Sequence, residues 1–539
     1  MARPIAAPLP HFKLSTTSKF IIFTAVLASL LEIVDTSIVN VAIPTMMGNL
    51  GATLEDISWV VTGYIIANAI VLPLSGWLGT RIGRRKYYIG CIGIFTATSV
   101  ACGLAPNLQT LVIFRILQGL AGGALLPTSQ TLIQEQFPRE RSGTASAIYG
   151  MSVMIGPTLG PTLGGYLTDN HGWRSIFNIN LPLGLLAMTM ASLYVFTPKR
   201  EFAPGEDLNS PAPKSPPIDG IGLALLTTGI GCLQFVLERG EADDWFSSNP
   251  ILICAVLAAM AIPGFIWWEL KTPNPIVNVR LFKDTVVRNG TLLMGALGLM
   301  LYGLIFVLPI FCGRVLHYDA TETGMLFIPG ALLTAFCMPV VGALLRRFDA
   351  RWLILCGLLV VETALLTMTG FSAQTGGRQL FWALLIRGLG MAFLFVPINS
   401  IVLGQFRGPN LGQVAGLLNL FRQLGGSIGI ALIATLLQRN NAQNYIDLAS
   451  HVSLLNPNTA AALRASQGGL VSKFGSELGM APITDVALKS MEFRIMNQVF
   501  IMSFTQMMWV LFLCFGMALI PLAFLRVKTK VTAPVLDLH

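Results

Sequence analysis

Three observations predict an all-α protein that crosses a membrane many times. The 539-residue chain is 54% hydrophobic and only 11% charged, whereas a soluble domain is about one quarter charged. Its apolar residues gather in runs long enough for helices that span the hydrocarbon core. Its basic residues are unevenly shared between the connections. We read fourteen spans, near 20–42, 57–78, 87–104, 108–131, 145–167, 176–196, 219–238, 250–268, 289–312, 322–345, 352–370, 379–403, 413–437 and 499–525. The tails and the connections on their side hold 23 of the 35 Lys and Arg residues, while the short loops opposite hold four, Arg174, Arg239, Arg314 and Arg378. By the positive-inside rule both termini face the cytoplasm. The +9 net charge is then a topology signal, and no nucleic-acid partner is expected. The first run has no small-residue cleavage site behind it, so it reads as a retained span. Scattered cysteines and histidines argue against a disulfide framework or a metal site, and no cofactor is expected.

In chain order, the first span carries the sharpest signal. LASLLEIVDTSIVNVAIP places Glu32 and Asp35 in an otherwise apolar run, where an acid costs roughly 2.5–3.5 kcal/mol on insertion scales. At i, i+3 they share one helix face. Like charges repel and burial disfavours ionisation, a setting suited to carrying a proton, with Asp35 the stronger candidate. Arg115 in span four lies at a similar depth and has the opposite sign; the plainer reading of such charges is a static ion pair. Span five contains GPTLGPTLGG, with Gly156, Gly160 and Gly164 at every fourth position. No lysine follows as in a phosphate loop. The glycines offer a smooth face for close helix packing, and Pro157 and Pro161 favour a bend. Span nine brings Met294, Met300, Tyr302 and Phe306, candidates for an adaptable cavity wall or for ordinary core. Glu362, Arg387 and Arg422 are the charged residues well inside the later spans.

Segment 197–218, rich in Pro, Ser and charge, reads as a cytoplasmic linker. Segment 438–498 falls outside, where short amphipathic helices would form a surface cap or a dock for an external partner. GTASAIYGMSVMIGPTLG at 143–160 aligns without gaps on GQVAGLLNLFRQLGGSIG at 412–429, matching Gly143, Gly156 and Gly160 to Gly412, Gly425 and Gly429. Pro127 and Ser129 likewise resemble Pro397 and Ser400. Parallel repeats of this kind suit a transporter whose site lies between rocking halves. The expected division is a six-helix half at 1–196, the linker at 197–218, two inserted helices at 219–268, and a second six-helix half at 269–539 containing the outer loop 438–498.

Four motifs in order resemble the major facilitator superfamily, and within it the fourteen-span drug/proton antiporters of the EmrB/QacA type. DTSIVNVAIP, from Asp35, resembles their span-one signature, which implies proton coupling for that acid. GWLGTRIGRRK, with Gly76, Arg81, Gly83, Arg84 and Arg85, resembles the gating loop between spans two and three. LVIFRILQGLAGG resembles the span-four signature, which implies proton transfer for Arg115. GPTLGPTLGGYL resembles the span-five antiporter signature, carried by Gly156, Gly160, Pro161, Gly164 and Gly165. Thr80 stands where the loop signature usually has Asp, and Glu32 lies outside the span-one signature. NLFRQLGGSIG, with Asn419 and Arg422, looks like a recurrent feature of this subfamily.

The resemblance implies a bacterial inner-membrane, proton-driven exporter of amphipathic, often cationic, toxic compounds from the cytoplasm or inner leaflet. It also implies a periplasmic adaptor and outer-membrane channel as partners in a two-membrane cell. An exporter dedicated to one metabolite, lipid or siderophore is the alternative, and a non-transporting sensor or scaffold a more distant one.

Overall fold

The computed structural model describes residues 13–196, 218–452, 456–474 and 480–525. The first helix, α1 (Thr16–Leu50), opens on Ser15, whose hydroxyl accepts the Ser18 N–H at 3.0 Å, and ends at Gly51 in the left-handed region. Next, α2 (Leu54–Ile82) opens on Thr53 and stops at Gly83, whose φ of 93° suits glycine and few other residues. That turn sends the chain back as α3 (Arg84–Gly103). The fourth span is broken near its middle into α4 (Leu108–Gly122) and α5 (Leu125–Glu135). It is followed by α6 (Ser142–His171), the one-turn α7 (Ser175–Asn178) and α8 (Asn180–Tyr194). An antiparallel pair, α9 (Gly220–Arg239) and α10 (Asn249–Lys271), precedes α11 (Thr285–Phe311), α12 (Ala320–Leu344), α13 (Ala350–Thr369) and α14 (Gly377–Leu403). The last elements are α15 (Pro409–His451), α16 (Pro457–Phe474), α17 (Met480–Gly516) and α18 (Leu519–Ala523).

Among the described residues, twelve helical segments are long and apolar enough to cross a membrane. The expected third and fifth spans are occupied by α3 and α6, which fall below that measure for visible reasons. Three basic residues open α3, and α6 is rich in Gly, Ser and Thr. The expected linker lies outside the described residues except for Ile218.

The aligned repeat has a spatial counterpart. Just as α6 packs along α1, α15 packs along α11. The pairings between the two sets are also equivalent, α6 against α12 and α15 against α2. Glycines permit both crossings, because at these sites backbone meets backbone. A Cβ on Gly76 would lie 2.5 Å from the Gln413 nitrogen, and one on Gly143 would lie 3.0 Å from the Gly342 carbonyl oxygen. Both seams lie toward the end where α1 begins and the loop basic residues cluster, termed here the basic end.

The inserted helix α9 is tied to both sets. Arg239 donates to the Glu55 carbonyl and the Ser58 hydroxyl of α2, at 3.2 and 2.7 Å. Toward α15, Gln234 donates to Ser427 at 2.5 Å, and the Trp245 indole beyond the helix donates to Thr435 at 3.0 Å.

Segment 438–498 differs from the expected cap of short helices. The thirteenth and fourteenth spans continue as helix past their apolar runs, α15 for 43 residues and α17 for 37, or about 64 and 55 Å. Asn444, on the α15 extension, donates to Ser503 at 3.0 Å and to Gln506 at 3.2 Å near the start of α17's apolar run. The shorter α16 packs on α17.

Candidate functional site

A cavity of about 800 Å³ lies between the two helix sets, away from the basic end. Its walls come mainly from α1, α2, α11, α12, α14 and α15. A polar floor crosses between the sets beneath it. Asn419 on α15 donates to Gln130 on α5 at 2.7 Å and accepts from Tyr149 on α6 at 3.0 Å, while Gln130 donates to Asn399 on α14 at 2.6 Å. Closer to the basic end, Ser142 bonds to the Ser400 hydroxyl and carbonyl at 2.6 and 2.8 Å, and Arg407 donates to the Phe137 carbonyl at 3.0 Å. With the glycine seams, these contacts close the basic end. Asp319 and Thr323, at the start of α12, line the cavity's opposite side.

The two acids of α1 have different surroundings. Asp35 is fully buried and outside the cavity lining. Its carboxylate accepts Arg115 at 2.6 Å, Gln118 at 2.9 Å and Asn180 at 2.7 Å. Arg115 also donates to the Val60 carbonyl at 3.1 Å and lies over the Tyr64 ring at 4.2 Å. The expected opposite-sign partnership is therefore a direct ion pair, with charge-assisted bonds on both sides. Glu32 does line the cavity. One carboxylate oxygen accepts from Asn68 at 2.8 Å, while the other is buried with no hydrogen-bond partner among the described residues. Tyr64 links the two places, lining the cavity and stacking with Arg115.

The span-five glycines explain how α1 is held. A side chain at Gly156, Gly160 or Gly164 would collide with Ile33, Ser37 or Ile38 of α1, so the stripe seats the helix that carries both acids. Gly165 is less crowded, with Val41 4.0 Å from a Cβ position. The Pro161 side chain lies outside those described. In the loop motif, Gly76 makes the cross-set contact directly. Arg84 pairs with Glu135 at 2.5 Å, Arg85 donates to the Ser192 carbonyl at 2.6 Å, and Arg81 lies 5.5 Å from the Trp77 ring centre. Thr80 bonds within its own helix, to the Trp77 carbonyl.

Of the later charges, Arg387 and Arg422 line the cavity and Glu362 does not. Glu362 sits beside Gly516 of α17, both carboxylate oxygens unpartnered. In span nine, Tyr302 and Phe306 line the cavity, whereas Met294 and Met300 are core residues at 2% and 0% exposure. Asn68, Gln130, Asn180 and Asn399 were missed as site residues in the sequence. Asn68 and Asn399 are lone amides in apolar runs, a signal weaker than a charge but of the same kind, whereas Gln130 and Asn180 sit among other polar residues and carry no such signal. Glu238, brought to the cavity by inserted α9, was missed as well.

Two equivalent helix sets around a central cavity, sealed at one end by separable contacts, make a membrane transporter of the alternating-access class. The family model described as Major Facilitator Superfamily matches residues 25–430, and the chain belongs to that superfamily. It is 35% identical over 430 residues to the fatty acid resistance protein FarB of Neisseria gonorrhoeae, covering 79% of this chain and 82% of FarB. It is 34% identical over 445 residues to the multidrug export protein EmrB of Escherichia coli, covering 82% and 84%. Among solved structures, the human organic anion transporter MFSD10 aligns with a TM-score of 0.54 at 15% identity, over 78% of this chain and 93% of its own. A bacterial homologue of the lysosomal transporter Spinster gives 0.54 at 16% identity, over 95% and 98%. At these identities the structural likeness speaks for the fold alone.

Proposed function

We propose that this transporter is a proton-driven exporter of amphipathic toxic compounds, working from the cytoplasm or inner leaflet by exchange with protons. The observation that carries the reading is Glu32, an acid with a free oxygen on the wall of a cavity closed at the basic end. Glu32 exchanges protons with cavity water, and the Asp35–Arg115 pair behind Tyr64 responds to that exchange, loosening when Asp35 is protonated. Coupling requires proton and substrate to favour different facing states, or to exclude each other. Relatives named for multidrug export support a broad substrate range. The name of FarB favours the second reading, a carrier dedicated to one amphipathic class.

The basic end faces the cytoplasm, so the state described here is outward-facing, and the membrane is the bacterial inner one. The long α15 and α17 extensions then stand in the periplasm, where they offer a dock for an adaptor leading to an outer-membrane channel. Co-purification that yields only the transporter counts against that dock.

Reconstitution in liposomes under an imposed pH gradient tests the transport reading, with ethidium, other amphiphiles and proton flux followed together. Wild type moves the compounds with the gradient, and Asp35→Asn and Glu32→Gln lose coupled movement. A wild type that moves none of the panel refutes broad export.

A further inference from the structure

The cavity wall carries a cation that no acid or acceptor among the described residues answers. Arg387 is 8% exposed, and its Nε and Nη1 are buried without a partner. The Phe327 ring centre lies 6.0 Å from its guanidinium. Arg422, 5% exposed, gives one nitrogen to Asn419 at 3.2 Å and leaves Nε without a hydrogen bond among the described residues. Glu32 lies within electrostatic reach of it, however, a neighbour of a kind that Arg387 lacks among the described residues. A guanidinium cannot shed its proton, and a buried charge without a counter-charge is costly.

The acids on the same wall are better provided for. Asn68 donates to Glu32 at 2.8 Å, Ser427 and Gln234 donate to Glu238 at 2.8 and 3.0 Å, and Asp319 accepts the Glu322 N–H at 2.7 Å at the exposed start of α12. The backbone behind Arg387 is fixed by a tight crossing, where the Thr334 hydroxyl donates to the Gly388 carbonyl at 2.8 Å. The backbone behind Arg422 is fixed against α11, where Gly298 faces the Arg422 carbonyl. Around these cations the wall is apolar and aromatic, with Leu301, Phe306, Phe327 and Met391.

We propose that the cavity selects amphipathic anions over cations, with Arg387 receiving a carboxylate or similar planar oxyanion and Arg422 as the second cation. The guanidinium fork matches such a head group, and the apolar wall takes the body. The proposal rests on reading the cavity as the substrate site. It reverses the sign of charge expected for the substrates.

Calorimetric titration of the full chain in lipid nanodiscs tests it, with empty nanodiscs subtracted. Three twelve-carbon probes differ only in the head group: dodecanoate, dodecanol and dodecylammonium, at a pH where the acid is ionised. Dodecanoate binds wild type at least about tenfold more tightly than either of the others. Arg387→Gln abolishes that preference, and Arg387→Lys retains some of it. Equal or tighter binding of dodecylammonium, no binding above the lipid background, or an intact preference in a folded Arg387→Gln overturns the proposal. The wild-type comparison needs no variant, so a misfolded mutant leaves it decisive. Anion-selective binding without gradient-driven flux leaves this inference standing and removes the transport reading instead.

Discussion

Adding one methyl group at Gly76 should open the basic end. A Cβ there would lie 2.5 Å from the Gln413 nitrogen and 2.6 Å from the Gly412 carbonyl carbon, about 1 Å inside ordinary contact. Both obstacles are backbone, so no side-chain rotation relieves them, and α2 and α15 must separate. Overpacking of this kind costs about 1–3 kcal/mol. The cost falls only on the state in which the seam is shut, so the open-to-closed ratio rises by about 5- to 150-fold. Gly90→Ala is the control, because a Cβ there has no heavy atom within 4 Å. Spin labels at Ile82, the exposed last residue of α2, and Phe348, exposed in the turn between α12 and α13, report the separation of the two sets by pulsed electron paramagnetic resonance in a cysteine-replaced background. Gly76→Ala should shift the distance distribution to longer values, and Gly90→Ala should not. Identical distributions for wild type and Gly76→Ala would show that the glycine seam does not hold the closed state.

Other outcomes follow from the same contacts. Arg115→Gln leaves Asp35 buried without its counter-ion and should cost about 3–5 kcal/mol. The double variant with Asp35→Asn should unfold later on heating than additive losses allow; strict additivity would rule out a direct pair. Glu32→Gln keeps an acceptor for Asn68, so its thermal transition should match wild type while pH-driven flux is lost, and normal flux would remove Glu32 from the mechanism. Glu362→Gln should leave flux unchanged, because that acid stands against α17 and outside the cavity; a transport defect would place it in the cycle. Asn419→Ala removes the floor's shared partner, at about 1 kcal/mol per lost hydrogen bond, and should lengthen the same spin-label distance.

The span pattern, the repeat and the Asp35–Arg115 partnership were legible because each depends on composition, spacing or helical rise. The separate surroundings of Glu32 and Asp35 were not. They lie about 60° apart on one helix, and which of them meets the cavity depends on how α1 seats on the glycines of α6. Arg387's lack of a partner was equally hidden, since an absent neighbour leaves no trace in a sequence. The extensions of α15 and α17 escaped because hydropathy marks where a chain leaves the membrane. The segment LLQRNNAQNYIDLASH loses apolar character without acquiring a residue that stops a helix.

The moorings of α9 make the two flanks of this protein mechanically unlike. On one flank, hydrogen bonds from Arg239 reach α2 while those from Gln234 and Trp245 reach α15. Any motion that swings the helix sets past each other must strain or break one group of them. The α2–α15 flank is thus strapped by α9 toward the end away from the basic one, while its glycine seam at the basic end is left outside the strap.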